Sequence, residues 1–167
     1  TEFYSWLESN IASLMSLDAA ITAAAILKSC QSKACVVSAD EKESGLRATL
    51  NFGHTFAHAI EAAQGYGQWL HGEAVATGML VALDLSARMG WVNKKEVARL
   101  RYLLETANLP VTVPENMTER QFLDIMAVDK KVLNGKLRLV LLKSVGCAIV
   151  TEDAPQEKIS LSILACR

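Results

Sequence analysis

The sequence predicts a mainly α domain with several helices and a small antiparallel β-hairpin element. Three observations support this fold class. Apolar residues recur at helical spacing through most of the chain, and polar capping residues and glycines stand at the ends of these repeats. Asn134-Gly135 then separates two short apolar runs, which is a strong signal for a tight hairpin turn.

The first four helices are predicted from their apolar spacing and their end signals. Asp18 is placed to cap the second of them, and Gly65 and Gly90 are placed to stop the third and the fourth. Residues 38–45 are charged and typical of a turn. The four predicted helices cover residues 1–16, 19–37, 46–63 and 71–89.

Two capping-box patterns predict the next helices. Asn93 is followed by Glu96 at the start of a fifth helix, which ends near Asn108. Thr118 is followed by Gln121 at the start of a sixth. Beyond them the sequence favours strands, which are predicted over residues 131–133, 137–142 and 147–150, and a last helix from Pro155 to the chain end.

Composition limits the possible functions. The 167 residues suit a single domain over 1–167, and a net charge of −1 without a basic stripe argues against a nucleic-acid partner. No uninterrupted apolar run approaches the roughly 20 residues that cross a bilayer, so no membrane association is expected. The four cysteines form no Cys-x-x-Cys pair, which predicts free or buried thiols in a reducing, cytoplasmic compartment.

A polar surface with candidate catalytic residues is predicted near the middle of the chain. All three histidines lie between positions 54 and 71. On one continuous helix, spacings of four, three, four and three residues would place five polar side chains on one face. A helix face that only contacts solvent normally carries Lys and Glu rather than His and Asn, so this face is a candidate for function. These five side chains are Arg47, Asn51, His54, His58 and Glu61.

The histidines are candidate metal ligands. His54 and His58 are four residues apart, a spacing that lets two imidazoles reach one metal ion. His71 could add a third nitrogen from the start of the next helix. A catalytic zinc site usually has three protein ligands, so three histidines or two histidines with a carboxylate would both meet the count.

Five segments of the sequence carry further motifs, at residues 40–47, 50–61, 65–67, 69–76 and 129–132. Together, in order and along essentially the whole chain, they resemble the 3-dehydroquinate synthase family. The resemblance covers only the C-terminal domain of that family, and the N-terminal NAD-binding domain has no counterpart here. It implies a cytoplasmic enzyme of the shikimate pathway that converts 3-deoxy-D-arabino-heptulosonate 7-phosphate to 3-dehydroquinate and phosphate. NAD, a zinc or cobalt ion and a homodimer of the full-length protein are also implied.

The resemblance also implies roles for individual residues. His54 and His71 match two metal ligands, and the third ligand of the family is a Glu in a segment upstream of this chain. His58 matches a residue that contacts substrate and takes part in proton transfer, so the resemblance overrides the spacing argument for His58 as a ligand. The matched substrate-binding positions are Lys33, Arg47, Asn51, His58 and one of Lys130 and Lys131.

The sequence leaves two alternatives open. A related sugar-phosphate cyclase would share the architecture and act on a different seven-carbon phosphate. A non-catalytic helical interaction module would carry the same motif as a vestige. For the first interpretation, we expect the isolated domain to be inactive, because the hydride carrier NAD would be held mainly by the absent N-terminal domain.

Overall fold

The computed structural model describes residues 2–42, 45–65, 67–128, 132–133 and 136–167. The helices within these ranges are α1 (Glu2–Met15), α2 (Ala19–Ala39), a 3₁₀ helix (Leu46–Asn51), α3 (His54–Gln64), α4 (His71–Arg88), α5 (Lys94–Thr106), α6 (Glu119–Val128) and α7 (Gln156–Ala165). The strands are β1 (Val132–Leu133), β2 (Lys136–Leu137), β3 (Leu139–Ser144) and β4 (Cys147–Thr151). The predicted fold class, mainly α with a small antiparallel element, is confirmed.

The predicted helix ends agree with the structure at the caps. The Asp18 carboxylate accepts a hydrogen bond from the Ile21 amide at 2.9 Å, and Asn93 accepts one from the Lys95 amide at 2.9 Å. At α6, the amide of Thr118 donates to Gln121 Oε1 at 2.8 Å, and the Gln121 amide donates back to Thr118 Oγ1 at 3.2 Å. Each bond satisfies an amide that has no partner within its own helix.

The prediction of one continuous helix over residues 46–63 is wrong. The segment is a 3₁₀ helix up to Asn51, then a break at Phe52 and Gly53, and then α3 from His54. Gly53 has φ +82°, a left-handed conformation that a helix cannot contain and that glycine adopts without a steric penalty. Arg47 and Asn51 therefore do not share a helical face with the histidines of α3.

The β element is built from two separate pairs of strands. β1 and β2 pair antiparallel, with Val132 opposite Leu137, as the hairpin signal predicted; the turn residues 134–135 lie outside the described ranges. The predicted strand over residues 137–142 is interrupted at Arg138, and β3 pairs with β4 instead. Leu139 and Leu141 alternate into the core, which fixes the register of β3.

Helix α4 is the centre of the domain. It packs against α3, α5, α7 and β3, and most of its side chains are buried. The Ser86 hydroxyl accepts a hydrogen bond from the Leu142 amide at 3.0 Å, which attaches β3 to the helix. Because α4 begins at His71, the element that holds the core also determines the position of this histidine.

Helix α2 is largely exposed. Ala25 is its one buried residue, and Ile26 and Leu27 remain 60% and 57% exposed. Among the described residues, α2 is the one helix that is long and apolar enough to cross a bilayer, with a mean hydropathy of 1.2 over an 18-residue window. Lys28 and Lys33 interrupt its apolar run. Length and composition alone are weak support for a membrane span, because core helices meet the same criteria.

All four cysteines are free, as the sequence predicted. Cys30, Cys35 and Cys147 are exposed, whereas Cys166 is 1% exposed at the end of α7. Burial raises the pKa of the Cys166 thiol to about 11, and the nearby Asp84 carboxylate adds to this effect. Its thiolate is therefore disfavoured in the folded state.

We expect Cys166 to make the domain less stable in alkaline solution. The raised pKa means that the folded state holds this proton more tightly than the unfolded chain. Its contribution is full below about pH 9 and is lost as the pH rises to about 11, for a total of about 2 to 3 kcal/mol. Urea unfolding at pH 8 and pH 10.5 should show this loss in the wild type and not in Cys166→Ala. The matched control Cys147→Ala should keep the wild-type loss; an equal loss in Cys166→Ala would contradict the prediction.

Candidate active site

The three histidines come together at the starts of two helices. His54 is the first residue of α3, His58 lies one turn later, and His71 is the first residue of α4. The ring centroids of His54 and His71 are 5.4 Å apart, and those of His54 and His58 are 5.9 Å apart. His54 is half-buried, while His58 and His71 are exposed. The predicted clustering of the histidines is therefore present in the fold.

A contact between two glycines sets the separation of these helices. A Cβ built on Gly78 of α4 would overlap the carbonyl oxygen of Gly53 and lie 3.0 Å from the amide nitrogen of Ala57. A Cβ on Gly53 would lie 2.5 Å from the amide nitrogen of Met79. The backbones of α4 and of the break before α3 thus approach more closely than any side chain would permit. This close approach positions His54 next to His71.

Each of the two candidate ligands has a contact to its Nδ1 atom. His71 Nδ1 lies 3.0 Å from Glu61 Oε1, a hydrogen-bond distance. His54 Nδ1 lies 3.5 Å from the Phe52 carbonyl oxygen, at the long limit for such a bond. When Nδ1 carries the proton, the lone pair of a neutral imidazole is on Nε2 and is available to a metal ion.

The separation of the His54 and His71 rings is compatible with a shared metal ion. Two imidazoles that bind one zinc at ~2.1 Å with a tetrahedral angle place their ring centroids about 5 Å apart. The observed 5.4 Å is close to this separation. Among the described residues, no group of three His, Cys, Asp or Glu side chains is arranged to hold a metal. His54 and His71 are therefore two candidate ligands, and the described residues place no third candidate with them.

Arg47 is held by the turn that precedes its 3₁₀ helix. The Asp40 carboxylate, which is buried at the end of α2, accepts hydrogen bonds from the Gly45 and Arg47 amides, both at 2.9 Å. The Arg47 guanidinium donates to the Glu41 carbonyl at 3.1 Å. The charged composition of residues 38–45 predicted a turn here, but it did not indicate that the Asp40 carboxylate would accept these two hydrogen bonds.

Asp40→Ala is expected to lower the free energy of unfolding by about 1 to 3 kcal/mol, because two amides would lose a buried acceptor. Asp40→Asn, which keeps one acceptor oxygen, should lie between this variant and the wild type. Urea unfolding measures the difference. Asp153→Ala, which removes an exposed carboxylate, should stay close to the wild type; an equal loss in both alanine variants would contradict the assigned role.

The remaining predicted residues are less closely grouped. Asn51 is half-buried at the end of the 3₁₀ helix, and Lys33 is exposed on α2, the helix against which the 3₁₀ helix packs. Lys130 and Lys131 lie outside the described residues. A cavity of about 390 Å³ adjoins His58 and is lined by His58, Glu61, Ala62, Gly65, Gly67 and Trp69. It provides space for a small molecule beside His58.

Solved structures share this architecture. A 2-epi-5-epi-valiolone synthase from Streptomyces hygroscopicus subsp. jinggangensis 5008, with NAD⁺ and Zn²⁺ bound, is 27% identical with a TM-score of 0.83 over 99% of this chain and 46% of its own. A 2-deoxy-scyllo-inosose synthase complexed with carbaglucose-6-phosphate, NAD⁺ and Co²⁺ is 26% identical with a TM-score of 0.71, over 82% of this chain and 39% of its own. The chain thus has the fold of the sugar-phosphate cyclases.

Sequence comparison identifies the family within this class. The family model for the C-terminal domain of 3-dehydroquinate synthase matches residues 1–132. The 3-dehydroquinate synthase of Pseudomonas syringae pv. tomato is 53% identical over 163 residues, and that of Pseudomonas fluorescens (strain Pf0-1) is 55% identical over 161 residues. These alignments cover 98% and 96% of this chain and 44% of each relative. The chain belongs to the 3-dehydroquinate synthase family and spans less than half the length of these relatives.

Proposed function

We propose that this chain is the metal- and substrate-binding half of a 3-dehydroquinate synthase. The full-length enzyme would convert 3-deoxy-D-arabino-heptulosonate 7-phosphate to 3-dehydroquinate and phosphate, in the cytoplasm and as a homodimer. The observation that carries this proposal is the separation of His54 and His71, which suits one shared metal ion, in a chain 53% identical to a 3-dehydroquinate synthase. The rest of the full-length protein would supply the third ligand and the NAD site.

Each polar residue of the site has a proposed task. His54 and His71 would hold a zinc or cobalt ion, which supplies Lewis-acid polarisation of a substrate hydroxyl when bound. Arg47 suits the substrate carboxylate, because a guanidinium forms two parallel hydrogen bonds to a carboxylate, and Lys33 adds a second positive charge. Asn51 would bind a hydroxyl or phosphate oxygen.

His58 would move the proton. It is exposed and lines the 390 Å³ cavity, so it can reach a bound substrate without a rearrangement of α3. An imidazole exchanges protons readily near neutral pH. One of Lys130 and Lys131 would contact the phosphate. The protein's main contribution is orientation and charge stabilisation, since NAD carries the hydride.

A related sugar-phosphate cyclase is the second candidate, because both solved structures compared above are synthases of other cyclic products. Their identities of 27% and 26% stand well below the 53% and 55% of the two Pseudomonas relatives, which favours the first candidate. A non-catalytic module is disfavoured by the intact set of Arg47, Asn51 and the three histidines.

The deciding experiment measures phosphate release by the full-length parent protein with NAD, zinc or cobalt, and each candidate sugar phosphate. We expect turnover with 3-deoxy-D-arabino-heptulosonate 7-phosphate and none with this chain alone. Turnover only on a different seven-carbon phosphate would support the second candidate. Turnover by the isolated chain would contradict the division of the site between two domains.

A further inference from the structure

We propose that Glu61 is a positioning residue that fixes the imidazole of His71 so that its Nε2 atom faces the metal ion. This inference rests on the proposed function, because it concerns the same metal site. It adds a residue whose role neither the sequence motif nor the spacing of the histidines had assigned.

The contact itself determines which nitrogen carries the proton. Glu61 Oε1 lies 3.0 Å from His71 Nδ1, and an ionised carboxylate can only accept hydrogen bonds. Nδ1 must therefore be the donor, and the lone pair of a neutral His71 is on Nε2. Histidines that bind metals commonly donate their other ring N–H to a carboxylate in this way, which fixes the ring and raises its basicity.

The contact matters for His71 because its side chain is largely exposed, so packing constrains the ring less than it would a buried side chain. Its side chain is 59% exposed at the first position of α4, whereas Glu61 is 32% exposed in the last turn of α3. The backbone of Glu61 is anchored, since its carbonyl accepts a hydrogen bond from the Gly65 amide at 3.1 Å. An exposed imidazole is thus hydrogen-bonded to a side chain on a well-anchored helix end.

The position of Glu61 on α3 links the two metal ligands. His54, His58 and Glu61 follow one another at spacings of four and three residues, so they share one face of this helix. Helix α3 therefore supplies one ligand directly and orients the other through Glu61. Direct metal binding by Glu61 is disfavoured, because its closest oxygen faces Nδ1 of His71 and no three-ligand group exists among the described residues.

The test uses the full-length enzyme and measures zinc affinity by competition with a chromophoric chelator. We expect Glu61→Ala and Glu61→Met, which remove the acceptor but keep good helix formers, to weaken zinc binding by about 10- to 100-fold. Glu61→Gln keeps an acceptor oxygen, so it should remain within a few fold of the wild type. Glu105→Ala, an exposed glutamate on α5, is the matched control and should bind zinc as the wild type does.

Two further readouts separate the outcomes. The visible spectrum of bound Co²⁺ should change in Glu61→Ala and not in Glu61→Gln, while the thermal midpoint of the metal-free enzyme should stay unchanged in both. Wild-type affinity in Glu61→Ala, or an equal loss in Glu61→Gln, would overturn the positioning role. Absence of zinc binding by the wild-type enzyme would instead overturn the proposed function, and this inference with it.

Discussion

Gly78→Ala is expected to lower the free energy of unfolding by about 3 kcal/mol, although alanine favours helices by about 1 kcal/mol over glycine. The added methyl group would overlap the carbonyl oxygen of Gly53 and lie 3.0 Å from the Ala57 amide nitrogen. Both neighbours are backbone atoms in a closely packed interior, so they cannot rotate away as a side chain could. Helix α4 must move away from α3, and the buried contacts between them would be lost.

Urea unfolding of the variant and the wild type measures this effect. Gly72→Ala is a matched control, because it lies in the same helix and a Cβ there meets no atom within 4 Å. The control should equal or exceed the wild type in stability by up to about 1 kcal/mol. A Gly78→Ala variant as stable as Gly72→Ala would show that the close approach of the two backbones does not constrain the fold.

Under the proposed function, His54→Ala is expected to remove metal binding and nearly all turnover from the full-length enzyme. Loss of a residue that only hydrogen-bonds to a metal ligand weakens metal binding by up to about 100-fold. Loss of a direct ligand should therefore weaken zinc binding by more than this. Turnover at a fixed zinc concentration should fall by about 10³-fold, which corresponds to about 4 kcal/mol of lost charge stabilisation. Zinc competition and initial rates measure the two effects.

His58→Ala is the comparison that separates the two assigned roles. It should keep wild-type zinc affinity and lose about 10²- to 10⁴-fold in turnover, the usual contribution of a proton-transfer group. The ring of His58 is 5.9 Å from that of His54, so distance alone does not show which of the two residues binds the metal ion and which transfers the proton. An equal loss of zinc affinity in both variants would instead support a metal site formed by His54 and His58, which are four residues apart on α3.

The helices could be predicted from the sequence because their signals are local. Asp18 and Thr118 cap the helices that their side chains suggested, and Gly65 and Gly90 stand at the predicted ends with positive φ. The break at Gly53 could not be predicted in the same way, because it depends on contact with Gly78, 25 positions later in the chain. The spacing of the polar residues across 47–61 is as compatible with one continuous helix as with a helix that is broken at Gly53.

The candidate site was predictable in part. Clustering of the histidines indicated a reactive surface, but this reasoning offered all three as candidate metal ligands, and only the family resemblance gave His58 a different role from His54 and His71. The contacts of Asp40 with the Gly45 and Arg47 amides could not be foreseen, nor could the bond between Glu61 and His71. Such contacts depend on how α2, α3 and α4 are placed relative to each other.

Trp69, on the wall of the cavity beside His58, gives the site an optical signal of its own. The other two indoles are remote in sequence and have cationic neighbours elsewhere: Lys28 lies 5.6 Å from the ring of Trp6, and Lys143 lies 3.5 Å from that of Trp91. A protein carrying Trp6→Phe and Trp91→Phe would retain Trp69 as the single indole of this domain. Its emission would then report the arrival of a ligand in the cavity in real time, without any added label.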